Sequence, residues 1–320
     1  MATEAMIETH DLRRVFKTRG GDVEAVAGVD LRIEAGEIFG FLGPNGAGKT
    51  TTLRMLATLL PATAGDATIA GCNLRRQPQK VRERIGYVGQ QGGTDPQITG
   101  RRELVFQGRL YRLSKVESRR RAAELISKLE LEDCADRSTK SYSGGQRRRL
   151  DIGLGLIHQP PVLFLDEPTT GLDPQARARL WEEVKRLRER GTTVFLTTHY
   201  MDEADVLCDR LAIIDHGRIV AQGTPDELKR QIAGDVVTIG VMGDQRTALE
   251  LLQAQSFVRE AGSEDGTLRL YVDRGEVAMP AILRILDGAG LELRTIALTR
   301  PSLDDVFLRQ TGRSLREQAA

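Results

Sequence analysis

One short stretch of the chain has the composition of a phosphate-binding loop. Gly43, Gly48, Lys49 and Thr50 satisfy the pattern G-x-x-x-x-G-K-[ST] in full. The whole stretch consists of Gly43, Pro44, Asn45, Gly46, Ala47, Gly48, Lys49, Thr50 and Thr51. Glycines let consecutive backbone N–H groups point at phosphate oxygens. Lys49 can reach the β- and γ-phosphates, and the Thr50 hydroxyl can hold Mg²⁺. The stretch therefore predicts binding of a nucleoside triphosphate.

The elements on either side of this loop agree with that chemistry. The apolar run 37–42 predicts a short strand before the loop, and the run 52–57 predicts the opening of a helix after it. The N-terminus of a helix carries partial positive charge, which favours a bound phosphate. A glycine-rich turn without chemical meaning would not require both flanks, so we favour the binding interpretation.

Two acidic residues follow a predicted buried strand further along the chain. Residues 162–165 are all apolar and end in Asp166 and Glu167, as in a parallel strand that delivers carboxylates at its C-terminal end. A second apolar strand, 193–197, is followed by His199. With strands alternating with helices and a phosphate loop, this order predicts a P-loop nucleoside triphosphatase.

Further motifs identify the family more closely. The signature Ser143-Gly144-Gly145-Gln146 lies upstream of the acidic strand, Gln90 follows the strand 85–88, and Asp173 comes soon after the acidic pair. In this order, residues 7 to about 230 closely resemble the nucleotide-binding subunit of ATP-binding cassette (ABC) transporters. Tyr142 before the signature, the run 147–152 after it and the run 302–308 resemble the daunorubicin-resistance type of drug- and lipid-export ATPase.

The resemblance implies an α/β fold, a P-loop ABC cassette with a RecA-like core, an antiparallel β subdomain and a helical subdomain. We predict the nucleotide-binding domain at 1–223, with its helical subdomain at about 97–158, and a connecting helix at 224–234. A small α+β accessory domain is predicted at 235–320. Its pattern indicates strands 235–242, 267–273 and 291–298, helices 245–254 and 276–288, a terminal helix from Pro301, and turns at 262–266 and 288–290.

The resemblance also assigns roles at the nucleotide. The loop from Gly43 to Thr51 would cradle the phosphates and Thr50, Gln90 and Asp166 would hold Mg²⁺ directly or through water. Glu167 would polarise the attacking water, with His199 contacting the γ-phosphate. Phe16 would stack on adenine, although composition alone favours core packing for an aromatic strand residue. Gln91 follows Gln90, so the sequence leaves open which of these two glutamines faces the metal.

The signature points to a second subunit. In ABC proteins the signature acts on the ATP of the opposite chain. The resemblance assigns that role here to Ser143, Gly144, Gly145 and Gln146. A chain with one loop and one signature must therefore pair head-to-tail with another, and complete motifs favour a homodimer. Asp173 would cross that interface, and it is also a suitable N-cap for the next helix. The segment 92–112 is where the family docks its membrane partner.

Composition restricts the remaining partners. The net charge of +1 provides no large basic field for nucleic acid. Cys72, Cys134 and Cys208 are widely spaced, which indicates free thiols in a reducing compartment. No apolar run approaches the roughly 18 to 20 residues of a membrane span. We expect a peripheral subunit on the cytoplasmic face of the plasma membrane, attached through an integral-membrane permease.

The sequence therefore predicts an ATP-hydrolysing subunit of an ABC exporter for drugs or lipid-like compounds. An importer ATPase is an alternative, because the cassette itself says little about the direction of transport. A non-transport ABC ATPase acting on nucleic acid or ribosomes is a second alternative. The chain has no sustained heptads between loop and signature and only one cassette, which disfavours the chromosome and ribosome types.

Overall fold

The computed structural model describes residues 5–231, 234–264, 267–299 and 302–312. They form two compact units, the first ending at Pro225 and the second beginning at Asp226. The strands of the first unit are β1 (Ala5–Thr18), β2 (Gly21–Glu34), β3 (Ile38–Leu42), β4 (Ala64–Ile69), β5 (Cys72–Asn73), β6 (Ile85–Val88), β7 (Val162–Asp166), β8 (Thr193–Thr198), β9 (Arg210–Asp215) and β10 (Arg218–Gly223). Its helices are α1 (Lys49–Leu56), α2 (Pro78–Arg84), α3 (Gly100–Leu110), α4 (Lys115–Lys128), α5 (Gly144–Leu156), α6 (Pro174–Glu189) and α7 (Met201–Leu207).

The strands β1, β2, β4 and β5 form an antiparallel sheet. Its strand order is β2-β1-β4-β5, with β1 paired to β2 and to β4. Ile7, Leu12 and Val29 are fully buried, whereas the exposed positions between them are mostly polar. This pattern is the expected one for strands with one face in the core.

A six-stranded sheet forms the centre of the first unit. Its order is β10-β9-β3-β8-β7-β6, and all neighbours are parallel except β10 and β9. Every residue of β3, β7 and β8 is buried, which is typical of central parallel strands covered on both faces. Leu42 pairs with Thr198, and Asp166 pairs with Thr197. The carboxyl ends of β3, β7 and β8 therefore lie side by side, directly below the loop that follows β3.

An aromatic cluster holds these central strands together. The ring of Phe195 lies 5.8 Å from Phe39, 5.6 Å from Phe41 and 5.7 Å from Phe164, between ring centroids. Such pairs contribute about 0.5–1.5 kcal/mol each beyond the burial of their area. The strands that position the acidic residues are thus joined by side-chain packing as well as by the backbone ladder.

Helices α3, α4 and α5 form a helical segment. The Ser114 hydroxyl accepts a hydrogen bond from the Glu117 backbone N–H at 3.1 Å, so this residue caps α4. After α5, the His158 ring stacks on Tyr111 with a centroid separation of 3.7 Å, and its Nε2 lies 2.9 Å from the Ile85 carbonyl oxygen. His158 therefore connects the helical segment to strand β6.

We expect His158 to make the first unit less stable in mild acid. Burial lowers the pKa of His158 to about 4, against about 6.5 in an unfolded chain. The folded state then binds fewer protons between these values, so the stabilisation is complete above pH 6.5 and is lost as the pH falls towards 4. From pH 7 to pH 5 the loss should be about 2 kcal/mol.

Urea unfolding followed by the fluorescence of the single tryptophan, Trp181, measures this effect in the first unit. The variant His158→Gln should lack that part of the pH dependence, because glutamine does not titrate. Identical pH dependence in the variant and the wild type would contradict the assignment to His158.

The second unit contains an antiparallel sheet with helices. Its strands are β11 (Asp235–Met242), β12 (Val258–Glu264), β13 (Thr267–Val272) and β14 (Glu292–Thr299), in the order β12-β13-β11-β14. Its helices are α9 (Gln245–Gln253), α10 (Gly275–Gly288) and α11 (Leu303–Thr311), and α8 (Pro225–Gln231) begins at the last residue of the first unit and continues into the second.

Two expectations for this unit need correction. The turn predicted at 262–266 is wrong up to Glu264, because β12 extends to that residue; residues 265 and 266 lie outside the described part of the chain. Strand β12 is polar and contains Gly262, so it has no strand pattern of its own, and its pairing with β13 defines it. The terminal helix begins at Leu303, and Pro301 lies outside the described residues.

The acidic motif near the end of the chain has a structural role in this unit. Asp305 is 2% exposed, and it forms an ion pair with Arg269 and accepts a hydrogen bond from the Tyr271 hydroxyl at 3.3 Å. It also forms a reciprocal capping box with Ser302 at the start of α11. The motif therefore anchors α11 to strand β13.

Two other expectations concern the whole chain. Cys72, Cys134 and Cys208 are buried free thiols, and none of them pairs with another cysteine. Among the residues in the described ranges, no helix combines the length and the apolar character needed to cross a bilayer.

Candidate nucleotide site

The phosphate loop connects β3 to α1 and is packed closely against its surroundings. A Cβ atom at Gly43 would lie 2.3 Å from the Ile214 carbonyl oxygen, and one at Gly48 would lie 2.5 Å from the Ala25 carbonyl oxygen. Gly48 also has a φ of 106°, in the left-handed region. These two positions therefore require glycine for packing and conformation, independently of any ligand.

Lys49, the first residue of α1, lies folded over this loop. Its side chain is 4% exposed, and its Nζ donates to the carbonyl oxygens of Gly43 at 2.7 Å and Pro44 at 3.0 Å. Nζ also lies 3.3 Å from Glu167 Oε1. Burial lowers the pKa of Lys49, and the Glu167 charge opposes this shift. The ammonium group is thus held between the loop and the acidic strand.

Asp166, at the end of β7, carries a carboxylate with an unused oxygen. Its Oδ1 accepts hydrogen bonds from the Thr50 hydroxyl at 2.9 Å and the Thr197 hydroxyl at 2.7 Å. The residue is 0% exposed, and its Oδ2 is buried without a hydrogen-bond partner. A buried carboxylate oxygen beside a hydroxyl is the type of ligand set that Mg²⁺ prefers. The arrangement of Asp166 and Thr50 therefore fits a bound magnesium ion.

Glu167 follows Asp166 in a strained conformation. Its φ is 43°, which is unusual for a residue with a side chain, and its backbone N–H donates to the Thr197 carbonyl at 3.1 Å and hydroxyl at 3.0 Å. This conformation turns the side chain towards the loop. Its Oε2 accepts a hydrogen bond from Gln90 Nε2 at 2.9 Å, and its Oε1 lies 3.4 Å from His199 Nδ1.

The charges around Glu167 keep it ionised. The adjacent His199 ring, followed by the Lys49 ammonium, lowers the pKa of Glu167 to about 2, although burial acts in the opposite direction. Glu167 is therefore a carboxylate throughout the physiological pH range. It can accept hydrogen bonds from water there, but it is a weak base while both neighbours remain in place.

The structure brings most of the predicted catalytic residues into one cluster. Lys49, Glu167, Gln90 and His199 meet around one carboxylate, and Thr50 and Asp166 meet beside it. Gln90, which is predicted to be a Mg²⁺ ligand, donates a hydrogen bond from its amide to Glu167. Phe16 is half-buried on β1, with the Arg14 guanidinium 4.6 Å from its ring centroid.

The signature lies elsewhere on the first unit. Ser143 caps α5 through a reciprocal capping box with Gln146, and Ser143 and Gly144 are exposed. A surface cavity of about 140 Å³ lies beside Ser143, Gly145 and Asp173. Within the part of the chain that the structure describes, no hydrogen bond or ion pair joins the signature to the phosphate loop.

Asp173 has the local role that its sequence suggests. Its Oδ1 accepts a hydrogen bond from the Ala176 backbone N–H at 2.9 Å and caps α6, and the residue is exposed. Its position beside the signature cavity leaves it available to a second molecule.

Sequence reasoning missed two residues of the site. Thr197 binds Asp166 through its hydroxyl and Glu167 through its carbonyl and hydroxyl oxygens. A polar residue at the C-terminal end of a buried strand was an available signal for Thr197. Arg148, on α5, bonds the carbonyl oxygens of Asp166 and Pro168, and nothing in its basic run of three arginines distinguished it.

Comparison with known proteins shows which family the chain belongs to. The family model for ABC transporters matches residues 26–170, and the model for the C-terminal domain of DrrA1-3-like ATP-binding proteins matches residues 223–311. The daunorubicin/doxorubicin resistance ATP-binding protein DrrA of Streptomyces peucetius is 46% identical, over 96% of this chain and 92% of that protein. The chain belongs to the ABC transporter family.

A curated export subunit and a solved cassette dimer are also similar to this chain. The Nod factor export ATP-binding protein I of Burkholderia lata is 41% identical, over 96% of this chain and 98% of that protein. A solved dimer of the ATP-binding cassette MJ0796, in a post-hydrolysis state with ADP and Pi, aligns with a TM-score of 0.63 and 28% identity, over 68% of this chain and 98% of that chain.

Membership of the ABC transporter family confirms several predictions. The ABC cassette fold, the resemblance to daunorubicin-resistance ATPases, the ATPase activity and the assignment to an exporter are confirmed. ATP is the nucleotide used by this family, and an ATP-binding subunit implies a membrane permease and a dimeric pair of cassettes. The individual site residues, the domain boundaries and the finer identity of the partners stay predictions.

Proposed function

We propose that two copies of this chain close head-to-tail around two ATP molecules and drive a separate permease that extrudes drugs or lipid-like compounds. The observation that carries this proposal is the separation of the two halves of the site. The phosphate loop and the acidic cluster lie together, whereas the signature opens onto its own cavity beside Asp173. Each ATP would then lie between the loop of one chain and the signature of the other.

ATP binding begins with the release of Lys49. Its ammonium group is held by two loop carbonyls and Glu167, and a triphosphate offers it stronger charge-assisted hydrogen bonds. The backbone N–H groups of the loop and the N-terminus of α1 receive the phosphate oxygens. Thr50 and Asp166 would hold Mg²⁺ with Gln90 reaching it directly or through water, and the ion would neutralise charge on the phosphates.

Hydrolysis depends on the Glu167 carboxylate, which loses its ion pair when Lys49 binds the phosphates. Without the ammonium beside it, the pKa of Glu167 rises and the carboxylate polarises the attacking water more effectively. His199, 3.4 Å from Glu167, holds the carboxylate in place and contacts the γ-phosphate. Phosphoryl transfer needs little further covalent chemistry, so position and charge account for most of the acceleration.

The base and the partner chain complete the site. The exposed part of the Phe16 ring offers a stacking face for adenine. The Arg14 guanidinium also lies over this ring, 4.6 Å from its centroid. The N-terminus of α5, with Ser143, Gly144, Gly145 and Gln146, binds the γ-phosphate of the partner's ATP. Asp173 crosses the interface next to it.

The partners follow from the relatives and the charge. The similarity to resistance and export subunits supports drugs or lipid-like compounds as the cargo, carried by the permease. The chain would lie on the cytoplasmic face of the plasma membrane, bound through that permease. The net charge of +1 supports the absence of a nucleic-acid partner. We propose domains at 1–223 and 235–320, joined by a segment that contains helix α8 (Pro225–Gln231), with an accessory role for the second.

A mixing experiment tests the shared site. Chains with Lys49→Ala and chains with Ser143→Arg should each be inactive, since each homodimer has a defect in both sites. A mixed dimer has one intact site, so the mixture should recover ATP hydrolysis to about a quarter of the wild-type rate if the sites act independently.

The control uses the double variant Lys49→Ala/Ser143→Arg mixed with the Lys49→Ala chain, in which no dimer contains an intact site. Phosphate release measures each mixture, and circular dichroism verifies that every chain is folded. Recovery no greater than in this control would contradict the head-to-tail arrangement.

A further inference from the structure

Arg148 connects the signature helix to the acidic cluster through buried hydrogen bonds. The side chain is 6% exposed although it carries a charge. Its Nη1 donates to the Gly89 carbonyl at 2.6 Å, its Nε to the Pro168 carbonyl at 2.8 Å and its Nη2 to the Asp166 carbonyl at 3.0 Å. One guanidinium group thus satisfies three backbone carbonyls from two separate segments.

Those carbonyls flank the residues that meet at the γ-phosphate end of the site. Gly89 directly precedes Gln90, and Asp166 and Pro168 lie on either side of Glu167. The Gln90 and Glu167 side chains are hydrogen-bonded at 2.9 Å. Arg148 therefore holds the backbones of both partners of this contact. A planar guanidinium can serve three acceptors in fixed directions, and a lysine ammonium cannot reproduce that fork.

Asp151 provides the counter-charge on the same helix. It is 7% exposed, and the Arg148 charge opposes the effect of burial on its pKa, which rises to about 6. A Cβ atom at Gly92 would lie 2.7 Å from Asp151 Oδ2. The glycine at this position of the run Gly92-Gly93-Thr94-Asp95 therefore allows the segment after Gln90 to approach α5 closely.

We propose that Arg148 is a positioning residue that couples the two ATP sites of the dimer within one chain. This inference rests on the proposed function, because it requires Gln90 and Glu167 to act in hydrolysis. Helix α5 begins at the signature, which contacts the partner's ATP, and Arg148 lies one turn later on that helix. A movement of α5 on closure is then transmitted to the Gln90–Glu167 pair of the chain's own site.

The test compares Arg148→Lys with Arg121→Lys in the full-length chain, using ATP and Mg²⁺. Arg121 is the control, because it is another arginine of the helical segment, half-buried, that likewise bonds a backbone carbonyl, that of Ile157 at 3.1 Å. We expect Arg148→Lys to lower kcat by about 10- to 10²-fold. The KM for ATP should change by less than about twofold, because the phosphate loop is untouched, and the Hill coefficient should fall towards one.

Several outcomes would overturn the proposal. A kcat equal to that of Arg121→Lys, an unchanged Hill coefficient, or a kcat loss that matches only the fraction of unfolded protein would each do so. If Arg148→Lys does not fold, the pair Arg148→Gln/Asp151→Asn removes both buried charges together and should give the same loss of kcat. The variant Glu167→Gln is measured in parallel. Normal turnover there refutes the proposed function, whereas normal turnover only in the Arg148 variants refutes this inference alone.

Discussion

Replacing Glu167 with glutamine is expected to lower ATP turnover by about 10²- to 10³-fold while ATP binding persists. The amide keeps the size of the side chain and can still accept a hydrogen bond from Gln90. It removes the negative charge that polarises water and that pairs with Lys49 at 3.3 Å. Because hydrolysis would reopen the dimer, a slow variant should accumulate in the closed, ATP-bound form.

The measurement combines phosphate release with size-exclusion chromatography in ATP and Mg²⁺. Glu183→Gln is the matched control, since Glu183 is another buried glutamate, 6% exposed and paired with Arg186 on α6. The control should behave as the wild type in both assays. Wild-type turnover in Glu167→Gln would remove Glu167 from the catalytic role.

Replacing Lys49 with alanine is expected to weaken ATP binding by at least about 10²-fold, which corresponds to about 3 kcal/mol. The ammonium group provides charge-assisted hydrogen bonds to the phosphates, and no other lysine or arginine contacts the loop carbonyls of Gly43 and Pro44 among the residues that the structure describes. The substitution also leaves Glu167 without its cation, so some loss of stability should accompany the loss of binding.

Titration calorimetry with ATP and Mg²⁺ measures the affinity, and thermal unfolding separates it from the stability loss. The double variant Lys49→Ala/Glu167→Gln should recover part of the stability, because it no longer buries an unpaired charge, but none of the affinity. Lys185→Ala, which removes a partly exposed lysine on α6, is the control for affinity. A wild-type dissociation constant in Lys49→Ala would contradict the assignment of the loop.

Local sequence was sufficient for the features that depend on neighbouring residues. The phosphate loop, the buried strands β3, β7 and β8, and the cap at Asp173 all lie where pattern and residue type predicted. Each of these features depends on the backbone conformations and burial of a few consecutive residues. The order of the motifs was also enough to indicate the ABC family, which the relatives confirm.

Contacts between distant segments could not be predicted in the same way. The bonds of Thr197 to Asp166 and of Arg148 to three carbonyls join residues 18 to 59 positions apart, and a carbonyl acceptor leaves no mark in the sequence. Strand β12 is defined by its partner β13 rather than by its own composition.

The chemical identity of the site was therefore determined by the sequence, through the types and order of its motif residues. Its electrostatic state was decided only by the tertiary structure. The Lys49–Glu167 ion pair and the lowered pKa of Glu167 arise because parallel strands bring their carboxyl ends to one edge, where charges from separate parts of the chain lie within 4 Å and partly out of water.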